Sequence, residues 1–120
     1  MTRRLVVKVT VGDGDAERCN QAFTVAASGV AAGTDVSLWL TGDAAWFAVP
    51  GKAEQFSLPL ATPLAELLTA VLEGGAVTMC SQCAARRELT ADDLVEGVRI
   101  AGASVFVEEC LGDGVQALVY

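Results

Sequence analysis

The stretch "LVVKVTV" at residues 5–11 is followed directly by the turn sequence "GDG" at residues 12–14. Its β-branched and mostly apolar composition is typical of a strand that is covered on both faces of a parallel sheet. Over residues 15–32 apolar side chains recur at spacings of three and four, which predicts a helix that Gly33 ends. The stretch "DVSLWL" at residues 35–40 then predicts a second strand. Strand, helix and strand joined by short links predict a right-handed crossover with parallel pairing, and a central position for the first strand.

The next segment contains both the least regular part of the sequence and its most regular helix. Residues 41–61 combine glycine and proline with an apolar patch, which predicts one short helix that Asp43 caps, followed by a loop. Thr62 is then expected to cap a helix in which Pro63 occupies the first position and a leucine-rich stripe faces the core. The glycine pair at residues 74–75 ends that helix.

The carboxyl-terminal part of the chain completes an alternation of strands and helices. Residues 76–79 predict a third strand, and residues 103–111 fit either a strand or a helix, of which we expect the helix. Residues 115–120 close the chain as a strand. The fold class is therefore predicted to be α/β, a small three-layer sandwich with a mainly parallel sheet and helices on both faces.

Length, hydropathy and charge exclude several classes of protein. The chain has 120 residues, of which 52% are hydrophobic and 19% charged, so we expect one domain over residues 1–120. Eight Lys and Arg against 15 Asp and Glu give a formal net charge of -7, the wrong sign for binding a phosphate backbone. Every long apolar stretch is interrupted within roughly 18 residues, short of a bilayer-spanning helix. With no secretory cleavage site near the amino terminus, we expect a cytoplasmic protein with neither membrane nor direct nucleic-acid contacts.

Histidine is absent from the sequence, which removes Ser-His-Asp and Cys-His nucleophile activation together with every imidazole metal ligand. Nucleophilic chemistry in this chain must therefore use another residue type. The candidates are the cysteines Cys19, Cys80, Cys83 and Cys110. A reducing cytoplasm keeps such thiols free, and we expect Cys19 and Cys110 to pack without a functional role.

Cys80 and Cys83 are placed where an open parallel sheet carries its sites, beyond the carboxyl end of a strand. The segment after Cys80 can turn helical and direct free backbone N–H groups at the sulfur, and Arg86 and Arg87 follow closely enough to favour an anion. Both influences stabilise a thiolate, so Cys80 is predicted to be the nucleophile. Buried thiols, a thioredoxin-like dithiol and a structural zinc site are alternative interpretations of the same pair.

The turn at residues 12–17 superficially resembles a dinucleotide-binding fingerprint, but Glu17 occupies the position of its third glycine. Three acidic residues line this turn and would repel a pyrophosphate. We interpret the segment as a tight turn before a helix, and we expect neither a nucleotide nor a metal cofactor.

Two segments, "VTMCSQCAARR" at residues 77–87 and "LVEGVRIAGA" at residues 94–103, resemble the DsrE/TusD-like (DsrE/DsrF-like) sulfur-relay family. The resemblance extends over nearly the whole chain. It implies a flavodoxin-like α/β domain that assembles into trimers or hexamers and needs no metal or nucleotide. It also implies that Cys80 corresponds to the sulfur-accepting cysteine, and that Arg86 and Arg87 correspond to the basic pair that follows it.

The resemblance implies a sulfur carrier or sulfurtransferase, in which Cys80 holds a persulfide and passes sulfur from a donor protein to an acceptor protein. A second hypothesis is a redox module, in which Cys83 resolves the persulfide, forms a disulfide with Cys80 and releases sulfide. A third hypothesis is a non-enzymatic homo-oligomeric scaffold whose cysteines only pack.

Overall fold

Five strands form one parallel sheet in the computed structural model, which describes residues 3–120. In chain order they are β1 (Arg4–Val9), β2 (Asp35–Leu40), β3 (Ala76–Cys80), β4 (Val98–Ala101) and β5 (Val115–Val119). Their spatial order is β4-β3-β2-β1-β5, and every pairing is parallel. The first strand therefore lies inside the sheet with a neighbour on each side, as its apolar composition predicts.

Helices occupy both faces of this sheet. They are α1 (Ala16–Ala31), α2 (Lys52–Gln55), α3 (Leu64–Gly74), α4 (Ser81–Arg86) and α5 (Ala103–Cys110), with short 3-10 segments at Asp13–Asp15, Gly42–Ala48 and Ala91–Asp93. The predicted α/β sandwich is confirmed, and so is the helical choice for the segment that α5 occupies. Among the described residues, no helix has both the length and the apolar character that crossing a bilayer requires.

Two helix starts differ from the sequence prediction. Asp43 does not cap a helix, because the 3-10 segment Gly42–Ala48 follows Thr41 and Asp43 lies inside its first turn. Thr62 does not cap α3 either. Pro63 stands immediately before that helix with an extended ψ of 133°, and its carbonyl accepts hydrogen bonds from the N–H groups of the first turn. A backbone carbonyl thus begins α3 where a threonine side chain was expected.

The first face of the sheet packs against α1 and α3 and holds most of the hydrophobic core. Residues alternate along each strand, so every second side chain points to this face. The buried residues that β1, β2 and β3 contribute are Val7, Val9, Val36, Leu38, Leu40, Val77 and Met79. Phe23 of α1 packs edge-on against Phe47, with 6.1 Å between ring centroids. Cys19 lies fully buried in the same layer, which confirms its predicted packing role.

The second face of the sheet is covered by α5, which connects β4 at one edge to β5 at the other. Trp39 alternates with core residues along β2 and therefore points to this face. Its ring packs edge-on against Phe106 of α5, with 5.3 Å between centroids. No residue of α5 is fully buried, so this layer is more exposed to solvent than the layer that α1 and α3 form.

Glu109 connects α5 to the sheet through hydrogen bonds and ion pairs. Its Oε1 accepts hydrogen bonds from Ser37 Oγ at 2.6 Å and from Trp39 Nε1 at 3.1 Å. Its Oε2 pairs with the guanidinium of Arg99, and Arg4 Nη2 lies 3.8 Å from Oε1. Burial by itself would raise the pKa of the Glu109 carboxyl, but these donors and charges outweigh burial and lower the pKa.

Glu109→Gln is expected to reduce the free energy of unfolding by about 2 kcal/mol at neutral pH, because charge-assisted hydrogen bonds are replaced by neutral ones. The native pKa of Glu109 is lowered, so its contribution is complete above the ordinary value of 4.5 and is lost as the pH falls through the native value. Urea unfolding of both proteins from neutral to acid pH measures the difference, which should shrink toward acid. A difference that stays constant would contradict this account.

Candidate functional site

Cys80 and Cys83 lie together at the carboxyl end of the sheet. Cys80 is the last residue of β3 and also the residue immediately before α4, and Cys83 is the third residue of that helix. These are the two positions of a helix start that a capping box occupies, so the two side chains lie across a single helical turn. Both thiols are free, and the Cys83 side chain hydrogen-bonds to the Cys80 sulfur. The spacing of the pair therefore produces a vicinal dithiol at a sheet edge where open α/β folds bind ligands.

The Cys80 thiol is partly exposed and its pKa is lowered from the ordinary value. Burial by itself would raise that pKa. The backbone N–H groups of Cys83 and Gln82, the Cys83 side chain and the positive charge of Lys8 act in the opposite direction and outweigh burial. The predicted preference for a thiolate is thus favoured by the backbone of α4, as expected, and by a lysine that the sequence did not indicate.

Lys8 belongs to β1, two strands away from Cys80. It pairs with Trp39 of β2, which in turn pairs with Thr78 of β3, and Cys80 follows two residues further along β3 on the same face. The ammonium group lies 4.9 Å from the centroid of the Phe106 ring. Lys8 is the one charged residue in the apolar stretch of residues 5–11, and this is the signal that could have identified it.

Cys83 is buried, with only 8% of its surface exposed. Its sulfur accepts a hydrogen bond from the backbone N–H of Gly42 at 3.2 Å. Gly42 has a φ of +53°, and a Cβ built there would stand 2.4 Å from the carbonyl oxygen of Thr10. Only glycine fits this position without displacement of the backbone. The irregular segment after β2 thus supplies a hydrogen bond to the second thiol, which no motif in the sequence indicates.

The two arginines after the thiol pair have other surroundings. Arg87 Nη2 lies 3.0 Å from Asp43 Oδ1, and Nη1 donates to the Cys83 carbonyl at 3.2 Å. Its guanidinium also lies 5.8 Å from the ring centroid of Trp46. Arg86 is exposed in the last turn of α4. The charge that lowers the Cys80 pKa is therefore that of Lys8, whereas Arg87 connects α4 to the loop after β2.

The remaining two thiols have environments that disfavour the thiolate. Burial, together with the charges of Asp13 and Asp15, raises the pKa of Cys19 to about 12. Burial and the neighbouring Glu109 carboxylate raise the pKa of Cys110, although Lys8 opposes them. Cys110 is partly exposed, so it packs less completely than Cys19, which is fully buried. A thiolate is thus much less accessible at these positions than at Cys80.

Lys8→Met is expected to slow alkylation of Cys80 by iodoacetamide roughly threefold below the titration midpoint of the thiol, because loss of the nearby charge lowers the thiolate fraction. The measurement is the alkylation rate against pH, which should shift toward higher pH. Lys52→Met is the matched control, since it removes the same charge from α2 and should leave the profile unchanged. Equal shifts in both variants would assign the effect to net charge and not to Lys8.

Comparison with known proteins identifies relatives of this chain. The family model described as the DsrE/DsrF-like family matches residues 3–117. The crystal structure of the YchN protein from E. coli aligns with a TM-score of 0.80 and 18% sequence identity over 100% of both chains. MTH1491 from Methanobacterium thermoautotrophicum, a protein of unknown function, aligns with a TM-score of 0.63 and 12% identity over 98% of this chain and 99% of its own. BT1422 from Bacteroides thetaiotaomicron, also of unknown function, gives a TM-score of 0.60 and 17% identity over 98% and 94%.

The comparison with curated proteins finds no significant match. At identities of 12% to 18% the structural alignments establish a shared fold. The match to the family model, which covers all of the described strands except the end of β5, establishes the family.

Proposed function

Since the chain belongs to the DsrE/DsrF-like family, which is associated with sulfur relay, we propose that it carries sulfur as a persulfide on Cys80. The observation that supports this proposal is the state of one thiol. Cys80 is partly exposed at the carboxyl end of β3, and hydrogen bonds from α4 and the charge of Lys8 lower its pKa. A nucleophile for sulfur transfer needs that combination of access and thiolate character, and the protein has no histidine to supply it otherwise.

The transfer consists of two displacement steps. The Cys80 thiolate attacks the terminal sulfur of a donor persulfide, a new S–S bond forms, the donor S–S bond breaks, and the donor leaves as a thiolate. An acceptor thiolate then attacks the terminal sulfur of the Cys80 persulfide and regenerates the Cys80 thiolate. The N–H groups of Gln82 and Cys83 and the Lys8 charge stabilise the anionic sulfur in both steps.

The proposal requires protein partners and a reducing compartment. A carrier of this kind takes sulfur from a donor protein and delivers it to an acceptor protein. A cytoplasmic location suits it, because free thiols persist there. The experiment that tests the proposal incubates the full chain with a cysteine desulfurase and cysteine, and the masses of the intact chain and of its peptides are then recorded. We expect a gain of about 32 Da, one sulfur atom, on the peptide that contains Cys80. A gain on the Cys110 peptide instead, or no gain, would defeat the proposal.

The contact between the two thiols favours one alternative, a redox module. The Cys83 thiolate could attack the inner sulfur of the Cys80 persulfide, forming the Cys80–Cys83 disulfide and releasing hydrosulfide. Atoms and electrons balance in that step without another oxidant. The product mass, about 2 Da below that of the reduced chain, distinguishes this module from a carrier by the loss of two thiol hydrogens.

We also propose that the chain forms a homo-oligomer, a trimer or hexamer, through the exposed surface that α5 and β5 contribute. Leu111 is 78% exposed and Val119 is 63% exposed there, and Val107 adds to the apolar surface. Exposed apolar side chains on neighbouring elements are typical of a subunit interface. A second copy is the occupant expected, because the same surface on two or more copies can pack together in a closed symmetric assembly.

Leu111→Asp is expected to convert the oligomer into single chains of 12.4 kDa at micromolar concentration, because a carboxylate would be buried without a partner. Light scattering coupled to gel filtration measures the mass. Leu60→Asp is the matched control, since Leu60 is also exposed but lies beside α1 on the other side of the sheet. Wild-type protein that is already a single chain, or dissociation of both variants, would refute this interface.

A further inference from the structure

The thiol pair has the arrangement of a two-ligand metal site. Cys80 and Cys83 occupy the residue before α4 and its third residue, and their side chains are in hydrogen-bond contact. Cys80 is partly exposed, so an ion can reach the pair from solvent. The sulfur of Cys83 accepts a hydrogen bond from the backbone N–H of Gly42 at 3.2 Å. Two sulfur atoms in mutual contact therefore lie on one short helix turn, and solvent reaches the pair through Cys80.

The donor set of this site selects one class of ion. Zinc in a structural site takes four ligands in a tetrahedral arrangement. Within residues 3–120 no group of three or more His, Cys, Asp or Glu side chains is placed to hold a metal, and the chain has no histidine. Soft monovalent Cu(I), in contrast, prefers thiolates and is satisfied by two of them in a nearly linear arrangement. The ligand count thus disfavours zinc and favours Cu(I).

The charge around the pair is suited to the same ion. Cu(I) with two thiolates carries one net negative charge, which a partly buried site must compensate. Lys8 lies on the same face of the sheet and is held over the Phe106 ring, so its single positive charge balances the complex. The Gly42 N–H stabilises the sulfur of Cys83 in its anionic form.

We propose that Cys80 and Cys83 bind one Cu(I) ion between their sulfur atoms. Two S–Cu bonds form, any thiol proton that remains is released to solvent, and no electron is transferred. The site goes beyond the sulfur-carrier proposal, since it requires both sulfur atoms whereas a persulfide requires Cys80 alone. Bound Cu(I) occupies the lone pair that would attack a donor persulfide, so copper excludes sulfur acceptance.

The test titrates the full chain, reduced, metal-free and under argon, with Cu(I) in competition with the chromophoric chelator bicinchoninate. We expect one Cu(I) per chain and a new thiolate-to-copper absorption in the near ultraviolet. Cys80→Ser and Cys83→Ser should each weaken binding by at least about 100-fold, the gain expected from a second ligand on the same molecule. Cys110→Ser is the matched control and should bind as the wild type does.

Several results would overturn the copper site. They are binding by Cys83→Ser equal to the wild type, equal weakening in Cys110→Ser, and one copper per two chains. Circular dichroism verifies that each variant is folded. Should the serine variants unfold, maleimide labelling of the wild type decides instead, because Cu(I) must protect the partly exposed Cys80 but leave the partly exposed Cys110 reactive. The sulfur carrier is tested separately by mass gain on metal-free protein, so either proposal can fail alone.

Discussion

Cys80→Ala is expected to abolish the mass gain of about 32 Da that the wild-type chain shows after incubation with a cysteine desulfurase and cysteine. The residual signal should be at least about 100-fold lower, because no other thiol of the chain combines access with hydrogen-bond and charge stabilisation of its anion. Burial raises the pKa of Cys19 to about 12, and the pKa of Cys110 is also raised. Intact mass spectrometry of both proteins under identical conditions measures the difference.

Cys110→Ala is the matched control for that experiment. It removes a partly exposed thiol whose pKa is raised, so it should retain the full gain of the wild type. A second variant, Cys83→Ser, distinguishes the sulfur carrier from the redox module. If Cys83 resolves the persulfide as a redox module requires, the serine variant accumulates more Cys80 persulfide than the wild type, and the loss of about 2 Da disappears. Persulfide that persists in Cys80→Ala would show that another atom accepts sulfur.

The position of Cys80 could be predicted from the sequence because it depends on local information. The sequence before Cys80 contains a helix stop and then a short β-branched run, and the segment after it can form a helix. This order of signals places the cysteine at the carboxyl end of a strand. The backbone N–H groups that lower its pKa belong to the next three residues along the chain. The same locality explains why four of the strands and the long helices were predicted close to their observed bounds, whereas β4 was not predicted.

The partners of the thiols could not be predicted, because they come from distant parts of the chain. Lys8 reaches the site only through the register of β1 with β2 and of β2 with β3. Gly42 meets Cys83 only because the segment after β2 folds back against α4. Arg87, which the sequence assigns to the sulfur, is bound by Asp43 of that same segment. The pairing of distant strands therefore determines which charged side chain lies near Cys80. A charged residue that is close to Cys80 in the sequence need not be close to its sulfur in the fold.

Gly42 connects the fold to this site, and its backbone determines where the loop after β2 runs. Its φ of +53° lies in the left-handed region, and its Cα faces the carbonyl of Thr10 so closely that a Cβ would stand 2.4 Å from the oxygen. The obstacle is the backbone of Thr10, immediately after β1, and it cannot rotate away as a side chain would. Relief therefore requires a shift of the loop that carries the N–H donor of Cys83 and the Asp43 partner of Arg87.

Gly42→Ala is accordingly expected to reduce the free energy of unfolding by about 3 kcal/mol or more, measured by urea denaturation. Gly33→Ala is the matched control, because Gly33 has a φ of +81° but nothing within 4 Å of the added Cβ, so only the conformational penalty of about 1–2 kcal/mol applies. The excess over the control measures the steric conflict with Thr10. In the folded fraction of Gly42→Ala, displacement of the loop should also make Cys83 more reactive toward maleimide, since Cys83 is only 8% exposed in the native chain. Equal destabilisation by the two substitutions would mean that the loop relaxes freely and that Gly42 does not hold the second thiol in place.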